Sequence, residues 1–179
     1  MPSATPWIDA AGTAMQVPEW ALPFYIRHIA AISALAAVPT VQRGLYVLAG
    51  KSLPSLINGL LDLVTLICRV LLFGLILELM YGEDKRLGQY GFRSAWSKVV
   101  GYTHDHWQIV VVNVVMFSLV FGAVNLCVSA LTKAFGLSNK NESRVGVDLL
   151  TFTLRNAVTI PIATVWLCGI VRQMLISES

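Results

Sequence analysis

Four ionisable side chains lie inside stretches of the sequence that are otherwise apolar. Residues 60–79, LLDLVTLICRVLLFGLILEL, contain Asp62, Arg69 and Glu78, and Arg155 lies in a later apolar stretch. A charge at the centre of a bilayer costs about 2.5–3.5 kcal/mol on insertion scales, so such residues are rare and usually face a partner or a pathway. We therefore interpret Asp62, Arg69 and Arg155 as the main candidates for intramembrane charge pairing or subunit contact.

The depths of two of these charges predict that they pair. Asp62 lies about one turn inside its apolar stretch, and Arg155 lies about two turns inside the last one. The two stretches run in the same direction, because a single span separates them, so an Asp62–Arg155 ion pair is expected. Glu78 lies near the end of its stretch, close to basic loop residues, and is interpreted as an interfacial carboxylate.

Arg69 has several candidate partners. It lies near the midpoint of its span, about 10 Å from Asp62 along the same helix face. Asn113 and Asn125 on the third span offer side-chain carbonyls, and a carboxylate of another subunit is an alternative. A substrate or lipid-headgroup role is the remaining alternative.

Motifs for catalysis or metal binding are scarce. His104, Asp105 and His106 are adjacent, but two histidines at i and i+2 do not share a helix face, which favours an interfacial polar segment. No metalloprotease, nucleophile-elbow, Walker or dinucleotide-binding motif is present. We predict no catalytic residue, no metal and no cofactor, and a protein that is not an enzyme. A membrane enzyme that uses these three residues is the last alternative.

The composition is typical of a membrane protein. Of the 179 residues, 56% are hydrophobic and 13% are charged, whereas soluble domains contain about 25% charged residues. The basic residues are scattered, which argues against nucleic-acid binding. Lipid tolerates only helices or closed barrels, and the apolar runs do not alternate as barrel strands do. The predicted fold class is therefore an all-α integral membrane protein.

The apolar runs predict a single transmembrane domain, 1–179. Its four transmembrane helices are expected at about 27–49, 56–80, 107–130 and 147–171. An N-terminal interfacial helix is predicted at 5–16 and an amphipathic elbow helix at 88–101, before the third span. Pro39 and Pro161 are expected to kink the first and fourth spans.

Small residues at three- and four-residue spacing predict two helix-packing faces, because they let helices approach closely. These faces consist of Ala30, Ser33, Ala34 and Ala37 in the first span, and of Ser118 and Gly122 in the third. Other integral membrane subunits and membrane lipid are therefore the expected partners, with no nucleic acid.

Basic residues are divided almost equally between the two sides of the membrane. Six lie on the side of both termini and the 83–106 loop, and five lie on the opposite side. Four of the six belong to that one short loop, which favours a cytoplasmic location for both termini.

The second half of the chain resembles a known family. FRSAWSKVVGYTHDHWQIVVVNVVMFSLVFGAVNLCVSAL contains an amphipathic helix, a short break and a long span. LLTFTLRNAVTIPIATVWLCGIVRQM follows, with a proline inside the span and a basic exit at Arg172. Over residues 88–174 this resembles the bacterial membrane-domain family associated with glycerophosphoryl diester phosphodiesterases. The resemblance implies an architecture of helix pairs with an amphipathic elbow, and a bacterial inner membrane. It implies no activity, since the chain carries no phosphodiesterase residues.

These observations lead to one expected function and one main alternative. The expected function is a non-enzymatic accessory or scaffold subunit of a larger membrane complex, such as an envelope lipid or nutrient transport machine. The alternative is a small homo-oligomeric transporter or channel that handles lipid or an anionic solute, with Arg69 binding the anionic group.

Overall fold

The computed structural model describes residues 5–49, 54–138 and 144–177, and every regular element within these ranges is a helix. In chain order the helices are α1 Thr5–Arg27, α2 Ile29–Ala49, α3 Ser55–Glu83, α4 Phe92–Asp105, α5 Trp107–Ser138, α6 Arg144–Leu154 and α7 Ile160–Ile176. A 3₁₀ turn at Leu87–Gln89 precedes α4, and a π turn at Arg155–Thr159 joins α6 to α7. The predicted all-α fold class is confirmed.

Three segments of the described chain are long and apolar enough to cross a membrane. They are Ser55–Glu83, Trp107–Ala134 and Leu149–Ile176, the last of which contains the π turn. Each forms its backbone hydrogen bonds internally, as the hydrocarbon core requires. A fourth crossing is formed if the bent pair Pro6–Arg27 and Ile29–Tyr46 counts as one span.

The N-terminal helix is longer than predicted and bends sharply into α2. The predicted helix at 5–16 was too short, because α1 continues through Pro18 and Pro23 to Arg27 and meets α2 at 83°. Its buried side chains recur at helical spacing along one face: Ala10, Ala14, Val17, Ala21 and Phe24. This face packs against α5 and α7, and its burial offsets the cost of the two prolines.

The predicted packing face of α2 stays exposed in the described part of the chain, although Ser33 forms a side-chain hydrogen bond with Tyr25 of α1. Ala30, Ser33, Ala34 and Ala37 are exposed, because α2 packs against α3 and α6 through the opposite face. That buried face carries Ile32, Ala36 and Gln42.

The small pair on α5 also points outward. Ser118 and Gly122 are both exposed, and a Cβ added at Gly122 would meet nothing within 4 Å. Phe121, on the neighbouring face, packs against Trp166 of α7 instead. Contact of both small-residue faces with another subunit stays a prediction.

The elbow helix α4 begins later than the predicted 88–101. Residues 87–89 form a separate turn and Gly91 is extended, so the helix starts at Phe92 and continues to Asp105. Ala95 and Val99 pack against the bundle core, whereas Phe92 is 90% exposed. This exposed aromatic residue suits the predicted position at the membrane interface.

A series of hydrogen bonds between buried polar groups joins α1, α5 and α7. Asn113 Nδ2 donates to Gln173 Oε1 at 3.0 Å, and Gln173 Nε2 donates to the Thr13 carbonyl. Asn113 is 1% exposed and Gln173 is 4% exposed. Because buried amides need hydrogen-bond partners, these bonds fix how α1 packs on α5 and α7.

Candidate functional site

The irregular part of the last span lies at the π turn. Pro161 has no N–H to donate to the carbonyl four residues back, and the Ile160 N–H bonds to the Arg155 carbonyl five residues back. The kink predicted at Pro161 therefore takes the form of a π turn, an element that occurs frequently at functional sites.

Three charges within the apolar helices meet neutral partners on other elements of the fold. Gln42 Nε2 of α2 donates to Asp62 Oδ1 at 3.4 Å. Arg69 Nη2 of α3 donates to Asn156 Oδ1 at 3.5 Å. Arg155 Nη2 donates to Ser129 Oγ of α5 at 3.5 Å. We call these six residues, together with the buried Thr65 of α3 between Asp62 and Arg69, the polar cluster.

The predicted Asp62–Arg155 ion pair is not among the ion pairs of the described residues. The two side chains turn toward different neighbours. Arg155 opens the π turn and reaches across to Ser129 on α5, while Asp62 is held from α2 by Gln42.

The partner of Arg69 within the chain is one that sequence reasoning missed. Asn113 donates to Gln173 and to the Ile109 carbonyl, and Asn125 donates to the Phe121 carbonyl, so neither meets Arg69. Asn156 does, and its Nδ2 donates to the Phe152 carbonyl at 2.8 Å. That bond leaves Oδ1 free to accept from Arg69. The available signal was the position of Asn156 next to an intramembrane arginine.

The polar cluster is only partly satisfied. Its three contacts are 3.4–3.5 Å long, whereas good hydrogen bonds to oxygen measure about 2.7–3.2 Å. In the described part of the chain, three of the cluster's buried atoms have no hydrogen-bond partner: Gln42 Oε1, Thr65 Oγ1 and Arg155 Nε. A guanidinium has five N–H donors, so Arg69 retains capacity for a stronger acceptor.

Asp62 and Arg69 also belong to an exposed stripe that runs along α3. Its members follow a spacing of four and three residues, and all are exposed: Ser55, Gly59, Asp62, Leu66, Arg69 and Phe73. This is the spacing with which one helix meets another along a shallow crossing. We call this set the α3 stripe. It presents two charges of opposite sign to the surroundings of the bundle.

Ion pairs at one end of the bundle join the helix termini. Glu83 Oε1 lies 3.0 Å from Arg27 Nη1 and 2.8 Å from His28 Nε2, at the bend between α1 and α2. Asp84 Oδ2 lies 2.8 Å from both Arg86 Nη2 and Arg172 Nη2. Arg86, one of the basic loop residues that follow Glu78 in the sequence, pairs with Asp84. Hydrogen bonds from Arg86, and secondarily from Arg172, lower the pKa of Asp84 to about 2.

Acidification should therefore loosen the end of the bundle. The folded pKa of Asp84 lies below its ordinary value of 3.8, so its contribution to stability is present above about pH 4 and is lost as the pH falls through about 2. We expect the unfolding temperature in detergent to fall across this window, and to fall less in Asp84→Asn. The exposed Asp105→Asn should behave like the unmodified protein. Identical acid profiles for all three proteins would contradict the assignment.

The histidine-rich segment does not form one site. His104 Nδ1 lies 3.0 Å from Asp105 Oδ1, and both side chains are exposed. The ring of His106 instead stacks on Tyr102, with centroids 4.5 Å apart. Across residues 5–49, 54–138 and 144–177, no group of three potential metal-ligating side chains is present.

The fold and the polar cluster together define a class of protein. It is an all-α protein with three to four apolar helices that are long enough to cross a membrane, which is consistent with a multi-pass membrane protein. Comparisons with models of known protein families, with curated proteins and with solved structures found no match to this chain. The resemblance of residues 88–174 to a phosphodiesterase-associated membrane domain stays a prediction.

Proposed function

We propose that this protein is a non-enzymatic integral membrane subunit that works within a larger membrane assembly, with the α3 stripe as its contact surface. A bacterial inner membrane with cytoplasmic termini is the proposed setting. An envelope lipid or nutrient transport machine is the proposed kind of assembly. Other membrane chains are the partners, and lipid covers the remaining surface.

The observation that carries this proposal is the exposure of Arg69 near the middle of an apolar span. Arg69 is exposed on α3, and its hydrogen bond to Asn156 is long at 3.5 Å. A guanidinium left against lipid tails is costly, so a partner that supplies an acceptor at this depth is strongly favoured. Four exposed small residues on α2 add a surface on which another helix can pack closely.

A second candidate function is favoured by the unsatisfied atoms of the polar cluster. Gln42 Oε1, Thr65 Oγ1 and Arg155 Nε are buried without partners in the part of the chain that the structure describes. Buried polar atoms of this kind are satisfied by water or a polar ligand. A small homo-oligomeric transporter or channel for lipid or an anionic solute would use the cluster in this way.

Replacing Arg69 tests the proposed function. The tagged protein is extracted in a mild detergent and its particles are weighed by native mass spectrometry. We expect the unmodified protein in particles with more than one chain, and Arg69→Met as a single chain with unchanged helical circular dichroism. Arg93→Met removes an exposed arginine of α4, outside the spanning segments, and should keep the assembly intact.

Two outcomes would contradict this function. One is an unmodified protein that is always a single chain. The other is an Arg69→Met protein that keeps every partner. A particle made only of this chain that retains lipid and stays assembled in Arg69→Met would favour the transporter instead.

A further inference from the structure

The α3 stripe carries one acidic and one basic residue at different depths, and this pattern specifies a partner. We propose that the chain seated on the α3 stripe is a second copy of this protein, inserted in the membrane in the opposite orientation. This inference rests on the proposed function, because it uses the same contact surface. It adds the identity and the direction of the partner.

Charge complementarity excludes a symmetric parallel pair. Asp62 and Arg69 are seven residues apart, which is about 10 Å along the helix axis, and both lie on one flank of α3. In two parallel copies related by an axis normal to the membrane, residues at equal depth face each other. Asp62 would then meet Asp62, and Arg69 would meet Arg69, so both contacts would be repulsive. In two antiparallel copies, each Asp62 meets the Arg69 of the other.

The symmetry of such a pair sets its register. An antiparallel pair has its two-fold axis in the membrane plane. Reciprocal Asp62–Arg69 contacts place this axis midway between the two charges, between residues 65 and 66. Span α3 has 29 residues, more than the roughly 20 that cross the hydrocarbon core, so this register keeps both charges inside the span.

Side-chain sizes along the stripe fit the same axis. Pairing about residue 66 places Gly59 of one copy opposite Phe73 of the other, and Leu66 opposite Leu66. A Cβ added at Gly59 would meet nothing within 4 Å, and Phe73 is 43% exposed. The smallest residue of the stripe, Gly59, thus leaves space for the aromatic ring of Phe73 from the other copy. Apolar side chains of the contact lie between the two Asp62–Arg69 ion pairs. Both ion pairs are shielded from water, which strengthens their attraction.

The loops permit insertion in both orientations. Six basic residues on one side against five on the other leave almost no charge bias to select a single topology. The proposed cytoplasmic location of the termini then holds for one copy of each pair. The second copy has its termini on the opposite side.

Labelling of the full chain tests whether both orientations are present. Starting from a protein whose three native cysteines are replaced, Ser97→Cys on α4 and Lys133→Cys on α5 report the two sides of the membrane through an impermeant maleimide applied to intact cells. We expect each position to label in about half of the copies, as a pair with one copy in each orientation requires. Complete labelling of one position and none of the other would overturn the inference.

Cysteine cross-linking determines the direction of the pair. Gly59→Cys and Phe73→Cys chains, expressed together, should form a mixed disulfide, whereas each alone should form little. Leu71→Cys, at similar depth on the opposite side of α3, should form none and serves as the matched control. Disulfides between identical positions would overturn the inference in favour of a parallel pair.

Charge exchange separates failure of this inference from failure of the proposed function. Asp62→Arg and Arg69→Asp should each abolish self-association alone and restore it when expressed together, with helical content unchanged. If these variants lose only foreign chains and labelling shows one orientation, the partner is not a second copy and the proposed function stands. If these variants lose no partner chain, the antiparallel pair and the proposed function are both wrong.

Discussion

Replacing Gly169 with leucine should separate α1 from the bundle and strongly destabilise the protein. A Cβ at this position would lie 3.0 Å from Cε3 of Trp20 and 3.1 Å from Cγ1 of Val17, both on α1. Overpacking of a filled site typically costs about 1–3 kcal/mol. We expect a loss of stability at the upper end of this range, because the Trp20 ring cannot easily move away. The Arg172 guanidinium carbon lies over that ring, 5.2 Å from its centroid.

Gly74→Leu is the matched control for this substitution. Gly74 also lies inside a spanning helix, but a Cβ there would meet nothing within 4 Å. Thermal unfolding in detergent, followed by circular dichroism, should show a large fall for Gly169→Leu and little change for Gly74→Leu. Limited proteolysis should also release the N-terminal helix faster in Gly169→Leu. Equal unfolding temperatures for the two variants would show that α1 is not docked at Gly169.

Replacing Gln173 alone should destabilise the protein more than replacing Gln173 together with its partner. Gln173→Leu leaves the buried Asn113 amide facing an apolar side chain, and an unsatisfied buried polar group costs about 1–3 kcal/mol. In Asn113→Leu/Gln173→Leu both amides are gone and the helices meet through apolar groups. The double variant should therefore recover part of the lost stability.

A double-mutant cycle gives the size of this coupling. Unfolding free energies of the two single variants, the double variant and the unmodified protein are measured under the same detergent conditions. We expect a non-zero coupling with Gln173→Leu as the least stable protein. Strictly additive losses would mean that Asn113 and Gln173 do not form the buried pair.

Both predictions concern the packing of α1 on the bundle, and only the first part of α1 could be predicted from the sequence. The sequence predicted an N-terminal interfacial helix at 5–16. The structure extends it to Arg27 because the burial of Val17, Ala21 and Phe24 offsets two prolines. Local propensity therefore set where the helix begins, and tertiary packing set where it ends.

The sequence by itself determined which segments can cross a membrane and which residues are out of place in them. Both follow from local composition and length, because a bilayer of fixed thickness selects runs of about twenty apolar residues and penalises each charge within them. The spans near 56–80, 107–130 and 147–171 and the candidates Asp62, Arg69 and Arg155 were available on that basis.

Only the tertiary structure decided what those residues contact. Arg69 meets Asn156 and Arg155 meets Ser129, and these partners are 87 and 26 residues away in the chain. The contacts depend on how each helix is rotated about its axis, and an extra residue in the π turn changes that rotation within the last span. The same rotations turned the small faces of α2 and α5 outward. Rotation is set by packing between segments that are distant in the sequence, so no local pattern encodes it.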